Sequence, residues 1–475
     1  METMGTVSPG VPVPDHSAAW AVSSPPGPRR GITAWRRLWG AALVVVLSLA
    51  SGCATYTDRF APVETALLQG DPLRAIEALE EDPGGEGDRV VYLLNRGALL
   101  RMAGEYQASN EALEAARRAI EGLDPLSVSE SIGSLVVGET AFAYVGEPHE
   151  RVLLHLVKAF NYLDLDEPYA ARVEALQVDL RLRAMADRQR GSRYRGDPFA
   201  RYLTGLIFER LGEPDQALVA YRQAHLAYRE HAGELGLTTP RQLQYDLLRL
   251  AEYLGVDDDL TRWRDEFGVD RWPSQQEHAE AAHLVVIVAA GLAPRKGEQS
   301  LLAQDYKGRI HRVSLPYYEP RRKALHGARV TTGGGGARAD AERVHDVDAV
   351  ARILLEEQMG VLTARALGRL LVQKELIDQA ADAHVVAGLM VNIFTVAVDR
   401  ADTRAWSTLP GQYYAARLSV PPGRRAVKLE YLGAGGGVID ARELGEMELE
   451  AGGYHFVLDR WVAPGVGSVN RGGEG

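Results

Sequence analysis

The feature that most constrains this chain is a recurring order of small and large residues in its first half. In one copy the small residues are Gly205, Gly212, Ala217 and Ala224, and the large ones are Phe208 and Tyr221. Apolar residues recur at intervals of three and four around them, which predicts two amphipathic helices separated by a glycine turn at 212. Small residues at the helix contacts let the two helices approach closely. Such a unit cannot bury its apolar face alone, so we expect it to stack on its neighbours.

The same spacing recurs elsewhere within residues 61–268. A clear second copy contains Gly97, Gly104, Ser109, Leu113 and Ala116, and a looser one contains Ala159, Asp166, Ala171, Ala175 and Val178. Gly70 belongs to a shortened first copy, one period (104 − 70 = 34) before Gly104, and Gly255 marks a decayed fifth copy. The pattern resembles the tetratricopeptide repeat, a helix–turn–helix unit of about 34 residues. The alternative is a non-repeating helical bundle.

Stacked repeats of this kind imply a superhelix with a concave surface that holds peptides or protein segments. The first helix of each unit would line that surface. The candidate groove contacts on these helices are Arg101, Phe160, Asn161, Tyr202 and Glu209. The alternative for each of them is a side chain that packs or is merely solvated.

The sequence pattern changes after the polar segment 271–277. Apolar or alternating runs predict strands at 283–290, 309–319, 394–398, 414–420, 425–432 and 454–458, and the residues Val347–Ala383 predict a helix. Short strands separated by Pro and Gly turns predict a small β-sandwich. The glycine-rich run Thr331–Ala337 lacks the Lys-Ser/Thr of a phosphate loop, so it is interpreted as part of a flexible insert.

These patterns predict an α+β multidomain protein. An N-terminal TPR-like α-helical repeat solenoid would occupy residues 61–270, followed by a linker at 271–283. A C-terminal mixed domain with a small β-sandwich-like sheet would occupy 284–465, with the flexible insert at about 321–346. Residues 466–475 are predicted to be a disordered tail.

The N-terminus predicts an export signal. Four arginines at 29, 30, 36 and 37 precede an uncharged run from Leu38 to Gly52, which is too short for a comfortable membrane span of about 20 residues. The run ends in Ala50-Ser51-Gly52-Cys53, which resembles a bacterial lipobox, and Cys53 is the only cysteine of the chain. Residues 1–52 would then be a lipoprotein signal peptide, 53–60 a lipidated tether, and Cys53 would carry a covalent lipid. The alternative is a small buried thiol in an ordinary signal peptide.

Composition and spacing argue against nucleic-acid binding, metal binding and nucleophilic catalysis. A net charge of −11 argues against binding to nucleic acid, which needs clustered Lys and Arg. His278 and His283 lack the spacing of two metal ligands on one helical face, and no nucleophile elbow occurs. We therefore expect no metal, no cofactor other than the lipid, and no enzymatic activity.

Three further segments resemble a family of uncharacterised bacterial lipoproteins with a TPR-like half and a mixed C-terminal half. They are Gly291–Lys296, Ala401–Trp406 with Leu409-Pro410, and Val152–His155 with Ala171–Ala175. The resemblance covers most of residues 53–465 and implies the same architecture, but no particular activity. It also implies a gene that lies near those of lipoproteins that stimulate peptidoglycan synthases.

Two functional hypotheses follow. The first is an outer-membrane lipid-anchored protein that faces the periplasm and whose repeats hold a protein or peptide partner, in envelope or peptidoglycan assembly. The second is a peptidoglycan-binding or glycan-acting protein. Its site would be the C-terminal cluster of Asp402, Arg404 and Trp406, which can instead be an ion pair that fixes a loop.

Overall fold

Five antiparallel helix pairs form the first part of the chain that the structure describes. The computed structural model describes residues 54–123, 140, 142–188, 192–194, 196–304, 310–333, 336–383 and 400–463. A short helix α1 (Tyr56–Arg59) precedes the pairs. The pairs are α2 (Ala61–Leu68) with α3 (Pro72–Glu81), α4 (Arg89–Met102) with α5 (Tyr106–Leu123), α6 (Pro148–Asp164) with α7 (Pro168–Arg188), α8 (Pro198–Arg210) with α9 (Pro214–Leu235), and α10 (Arg241–Tyr253) with α11 (Asp257–Phe267).

Each pair turns at a residue with a left-handed backbone. The turn residues and their φ angles are Gly70 (78°), Gly104 (80°), Asp166 (58°), Gly212 (70°) and Gly255 (68°). Glycine adopts positive φ without steric cost, and Asp is one of the few other residues that tolerate it. These are the five turn positions that the sequence spacing indicates, so the prediction of paired, repeated helices is confirmed.

Two glycines explain why the helices of a pair approach so closely. A Cβ atom at Gly97 would lie 2.6 Å from Cγ of Leu113, and one at Gly205 would lie 2.2 Å from Cε1 of Tyr221. The small residues at Ala217 and Ala224 are fully buried at the same helix contact. The repeat positions therefore set the distance between helices.

The second part of the chain is dominated by one sheet. After helix α12 (Gln275–Glu280) come β1 (Ala282–Ala290), β2 (Arg295–Gln304), β3 (Ile310–Glu319), β4 (Gly327–Thr332), β5 (Arg338–Asp346), helix α13 (Val347–Ala383), β6 (Gln412–Val420), β7 (Gly423–Leu432), β8 (Val438–Leu449) and β9 (Tyr454–Trp461). Within the described residues, seven strands pair in the order β8-β7-β4-β5-β6-β1-β9, and β2 and β3 form a separate hairpin. Only the β1–β9 pair of the seven-stranded sheet is parallel.

Both faces of the central strand β1 are buried, but against different cores. Leu284, Val286 and Val288 point into a core enclosed by the sheet itself, whereas Val285 and Ile287 belong to the core shared with the helices. The sheet is strongly curled, because side chains from its two ends meet across the inner core. The hydroxyl of Tyr431 on β7 donates to Asp459 on β9 at 2.7 Å, and the indole of Trp461 donates to Asp440 on β8 at 3.1 Å.

The structure corrects three sequence predictions. The β-sandwich is wrong, since the described strands form one curled sheet and a hairpin. The insert at about 321–346 contains β4 and β5, which are interior strands of that sheet. The linker at 271–283 contains α12, which begins with a capping box at Ser274 and Glu277.

Other sequence predictions agree with the structure or lie outside its described part. The predicted helix Val347–Ala383 is confirmed as α13. The predicted strand at 394–398, the tail at 466–475 and the signal segment at 1–52 lie outside the described residues.

Candidate functional site

The inner face of the helical half is covered by the C-terminal half of the same chain. The first helix of each pair supplies at least one polar contact to it. The contacts are Glu64 with Arg295 and Arg321, Asn95 with Thr408, Glu150 with the backbone of Trp406, Glu209 with Tyr454, and Asp246 with Arg417. The concave surface is therefore an internal interface at these positions rather than an open groove.

One part of this interface is filled by a group of buried charges, the Glu209 cluster, which consists of Glu209, Asp246, Arg249, Arg417 and Tyr454. Glu209 pairs with Arg249, and its other oxygen accepts the hydroxyl of Tyr454 at 2.8 Å. Asp246 pairs with Arg417 and, at 3.2 Å, with Arg249. Two carboxylates thus face two guanidinium groups, so the cluster carries no net charge.

The pKa directions in the Glu209 cluster follow from burial and pairing. Burial alone would raise the pKa of Glu209, but Arg249 and Arg417 hold it below its usual value. Burial raises the pKa of Asp246, which Arg417 only partly offsets. The cluster joins α8 and α10 to β6 and β9, so its charges act as a structural link between the two halves.

Two stacked histidines lie beside the Glu209 cluster. The ring centroids of His278 and His283 are 3.8 Å apart, and Nε2 of His278 is 3.0 Å from the hydroxyl of Tyr454. Burial and the nearby Arg417 lower the pKa of His283 to about 4. Both rings are consequently neutral near pH 7, since burial and Arg249 also lower the pKa of His278.

The cluster of Asp402, Arg404 and Trp406 is also buried in the interface. Arg404 pairs with Asp402 at 2.8 Å and donates to the carbonyls of Gly87 and Phe142, each at 2.9 Å. Trp406 is 1% exposed. The structure therefore places these residues in an ion pair that fixes a loop onto the helices, and it does not place them on a contact surface.

Glu150 is a buried carboxylate of this loop region whose pKa is raised. It accepts the hydroxyl of Tyr144 at 2.5 Å and the backbone N–H groups of Glu147 at 3.0 Å and Trp406 at 2.7 Å. Burial and the negative charge of Glu147 nevertheless raise the pKa of Glu150 to about 7. Lys296, the second residue of β2, pairs with Glu147 at 2.6 Å. The docking of this loop is therefore coupled to a proton near neutral pH.

A second part of the interface is hollow. A cavity of about 410 Å³ lies between helices α4 and α6 on one side and strands β1, β6 and β9 on the other. Its apolar walls include Phe160, Tyr413, Leu409, Ile287 and Leu458. Three arginines, Arg101, Arg442 and Arg460, line it together with a single carboxylate, Asp459. We call this space the arginine cavity.

The structure separates the five predicted groove residues. Arg101 and Phe160 line the arginine cavity, and Arg101 pairs with Asp164 at 2.7 Å. Asn161 is buried between the helices, where its amide donates to Ser109 and Asn110, both at 2.8 Å. Tyr202 is buried, and Glu209 belongs to the filled part of the interface. None of the last three faces an open groove, because Asn161 and Tyr202 are buried and Glu209 contacts the C-terminal half.

Sequence reasoning missed Arg442 and Arg460, which lie on the terminal strands of the sheet. The signal available was the pair Asp459-Arg460 inside the otherwise apolar run 454–461. Charges in such a run indicate a buried or functional pair, yet nothing in the sequence places them opposite Arg101.

The outer face of helix α7 carries an apolar stripe. Tyr169, Val173, Leu176 and Leu180 are spaced by four, three and four residues, so they lie on one side of the helix. Their exposed fractions are 73%, 54%, 43% and 56%. We call this surface the α7 stripe. The second helix of the next pair, α9, adds exposed Val219 and Leu226.

The described residues contain neither a candidate metal site nor a candidate membrane-spanning helix. No group of three or more His, Cys, Asp or Glu side chains among them could hold a metal ion. No helix in the described ranges has both the length and the apolar character required to cross a membrane. Cys53, the predicted acylation site, lies outside those ranges.

Comparisons with known proteins assign the chain to no family. No protein-family model matches the chain, and no curated protein matches it in sequence. A crystal structure of MamA is 16% identical over 45% of this chain and 92% of its own, with a TM-score of 0.26. A Rap protein complexed with competence and sporulation factor is 15% identical over 44% and 51%, with a TM-score of 0.27. A tetratricopeptide repeat protein from Parabacteroides merdae ATCC 43184 is 15% identical over 45% and 68%, with a TM-score of 0.28.

Proposed function

We propose that this protein is a lipid-anchored, non-catalytic scaffold of the bacterial cell envelope that binds a protein partner through the α7 stripe. The observation that carries the proposal is the exposure of four large apolar side chains along one face of a single helix. Soluble monomers rarely leave contiguous apolar patches uncovered, and larger exposed patches mark interaction sites. The stripe has the spacing that a partner helix or an extended segment could pack against.

Because the C-terminal half occupies the inner face of the helices, we assign the partner-binding site to their outer surface. TPR-like repeats imply partner binding in the concave groove, but here Glu209, Asp246 and Trp406 bind the two halves of the chain together at that place. A partner that entered there would have to break buried ion pairs, which costs several kcal/mol. The second helix of the third pair, α7, keeps large apolar side chains exposed.

The anchor and the location rest on the N-terminal residues. The lipobox-like Ala50–Cys53 supports acylation of Cys53, and Ala54 after it, in place of Asp, supports an outer-membrane address. Two or three acyl chains would hold the protein firmly, since each buried CH₂ contributes about 0.8 kcal/mol. The partner would then be another envelope protein, in envelope or peptidoglycan assembly. The glycan-acting alternative loses its proposed site, because Arg404 and Trp406 are buried.

Site-specific crosslinking in the native bacterium tests the α7 stripe. A photo-reactive amino acid at Leu176 of the full chain should give a discrete crosslinked species with an envelope protein. The same amino acid at Arg118, an exposed position of α5, is the matched control and should not give that species. The species should disappear when Val173→Glu and Leu180→Glu are added. An identical pattern at both positions, or a species that survives the two Glu substitutions, would contradict the proposal.

The anchor needs its own measurement. Radiolabelled palmitate should enter the wild-type chain and should not enter a Cys53→Ser variant, which should also leave the membrane fraction. Equal labelling of both proteins, or unchanged fractionation of the variant, would overturn the anchor without affecting the α7 stripe.

A further inference from the structure

The arginine cavity contains one cation that lacks a carboxylate partner. Arg101 is neutralised by Asp164 at 2.7 Å, and Arg442 pairs with Asp459 at 2.5 Å. Arg460 donates from one nitrogen to the carbonyls of Ala289 at 2.9 Å and Trp461 at 3.2 Å. Its Nε and its other terminal nitrogen are buried and have no hydrogen-bond partner among the described residues.

An uncompensated buried guanidinium is costly to the folded protein. A buried donor without an acceptor costs about 1–3 kcal/mol, and more when the group is charged. The desolvation of Arg460 is also visible in its pKa, which burial lowers to about 10. Each arginine of the Glu209 cluster, by contrast, has a carboxylate partner, although Nε of Arg417 is also buried without a hydrogen bond. The cost at Arg460 is therefore a local feature that an anion in the cavity would remove.

The walls of the cavity indicate what kind of anion would fit. Phe160 and Tyr413 lie with their ring centroids 6.0 Å apart, and Leu409, Ile287 and Leu458 extend this apolar lining. A volume of about 410 Å³ exceeds the space that an inorganic ion needs, and it falls in the range of small-molecule sites. The cavity thus combines a cationic end with an apolar body.

The cavity also has an opening that a ligand could use. The side chains of Arg101 and Arg442 are 16% and 20% exposed, and Gly104 of the α4–α5 turn is exposed beside them. These residues lie on the helical half and on the sheet, so the opening lies at the seam between the two halves.

We propose that the arginine cavity binds an amphipathic organic anion, whose carboxylate or phosphate group pairs with Arg460 and whose apolar part packs against Phe160 and Tyr413. The charged group supplies the acceptors that Nε and the free terminal nitrogen of Arg460 lack. A planar guanidinium binds carboxylate and phosphate oxygens through two parallel hydrogen bonds, which suits both headgroups. No residue of the α7 stripe lines the cavity, so this proposal does not depend on the proposed function.

The test compares three probes of equal chain length with the full protein by titration calorimetry. Decanoate, decyl phosphate and decanol share the apolar part and differ in the headgroup. We expect one or both anions to bind at one site per chain and about tenfold or more tightly than decanol, because a charged hydrogen bond contributes about 1.5–3 kcal/mol. The anion that binds more tightly shows whether the headgroup of the ligand is a carboxylate or a phosphate ester. Equal affinity for decanol, or no binding of either anion, would overturn the proposal.

Three variants locate the binding site. Arg460→Met should weaken the preferred anion by about ten- to a hundredfold while leaving decanol unchanged. Arg460→Lys keeps the charge and should retain part of the affinity. Ala103→Trp adds bulk at a cavity-lining residue directly after α4 without removing a charge, and it should weaken all probes equally. Thermal unfolding confirms that each variant folds. Unchanged anion affinity in both folded Arg460→Met and Ala103→Trp would show that the anion binds elsewhere.

Discussion

The Glu209 cluster and the arginine cavity are two parts of the same interface. They contain the same types of charged residue but differ in how the charges are paired. In the Glu209 cluster, two arginines meet two carboxylates, and the hydroxyl of Tyr454 donates to Glu209. In the arginine cavity, three arginines meet Asp164 and Asp459, and Arg460 keeps unused donors. A buried network whose charges are paired holds two elements in one arrangement, whereas a buried cation without a carboxylate partner has capacity for an anion. Charge balance, and not burial, distinguishes a link from a candidate binding site.

The largest expected effect comes from breaking the filled part. Glu209→Gln leaves the buried Arg249 and Arg417 with the single carboxylate of Asp246, and loss of one partner of a buried pair costs about 3–5 kcal/mol. Urea unfolding of the variant should show a decrease of that size. The control Glu213→Gln removes a half-exposed pair with Arg172 at 3.1 Å and should cost about 1 kcal/mol or less. Similar losses in the two variants would mean that the Glu209 cluster does not hold the halves together.

The second effect concerns the proton on Glu150. Its pKa is about 7 in the folded chain and about 4.5 in the unfolded one, so the folded state binds the proton more tightly. The contribution to stability is therefore fully present below pH 4.5 and is lost as the pH rises through 7, up to about 3 kcal/mol. His149, whose pKa burial lowers to about 4, changes stability in the opposite direction in an overlapping range.

A difference between two proteins isolates the Glu150 contribution. The stability of the wild type minus that of Glu150→Gln should fall between pH 4.5 and pH 7, because only the wild type loses the proton. Since both proteins contain His149, its contribution cancels. A difference that stays constant over this range would show that Glu150 is ionised throughout, as its three hydrogen-bond donors favour.

The third effect tests the helical half alone. Gly205→Ala places a methyl group 2.2 Å from the ring of Tyr221, and such overpacking costs about 1–3 kcal/mol. Gly233→Ala is the matched control, since a Cβ there meets nothing within 4 Å in helix α9 and should stabilise by about 0.5–1 kcal/mol. Thermal unfolding should therefore give opposite signs for the same chemical change. A loss at Gly233, or none at Gly205, would contradict the close packing.

The helical half was more predictable than the sheet for a physical reason. Positive φ at Gly70, Gly104, Gly212 and Gly255 and the close contact at Gly205 are local requirements, so they leave a local signal in residue type. Strand pairing leaves no such signal. β4 pairs with β7, about a hundred residues later in the chain. Because of this distant pairing, a segment that the sequence predicted to be a flexible insert forms an interior strand.

The candidate sites show the same limit. The sequence indicated Arg101 and Phe160 through their place on a first helix, but it predicted an open groove around them. Whether a groove is open depends on what packs into it, which is a tertiary property. The Asp402–Arg404 pair was visible in the sequence because its members are two residues apart, whereas Arg442 and Arg460 meet Arg101 only through the curl of the sheet.

The smallest expected change in stability has the opposite sign to that of Glu209→Gln. It therefore distinguishes the arginine cavity from the Glu209 cluster most clearly. Arg460→Met removes a buried charge without a carboxylate partner and fills similar space with apolar atoms. In the unliganded protein this change should leave stability unchanged or raise it by about 1 kcal/mol, because the replacement of poorly compensated buried charges by apolar residues is often neutral or stabilising. Urea unfolding of dialysed protein measures it. A loss comparable to that of Glu209→Gln would show that Arg460 is a structural link like Arg249, and that the cavity beside it is only a packing gap.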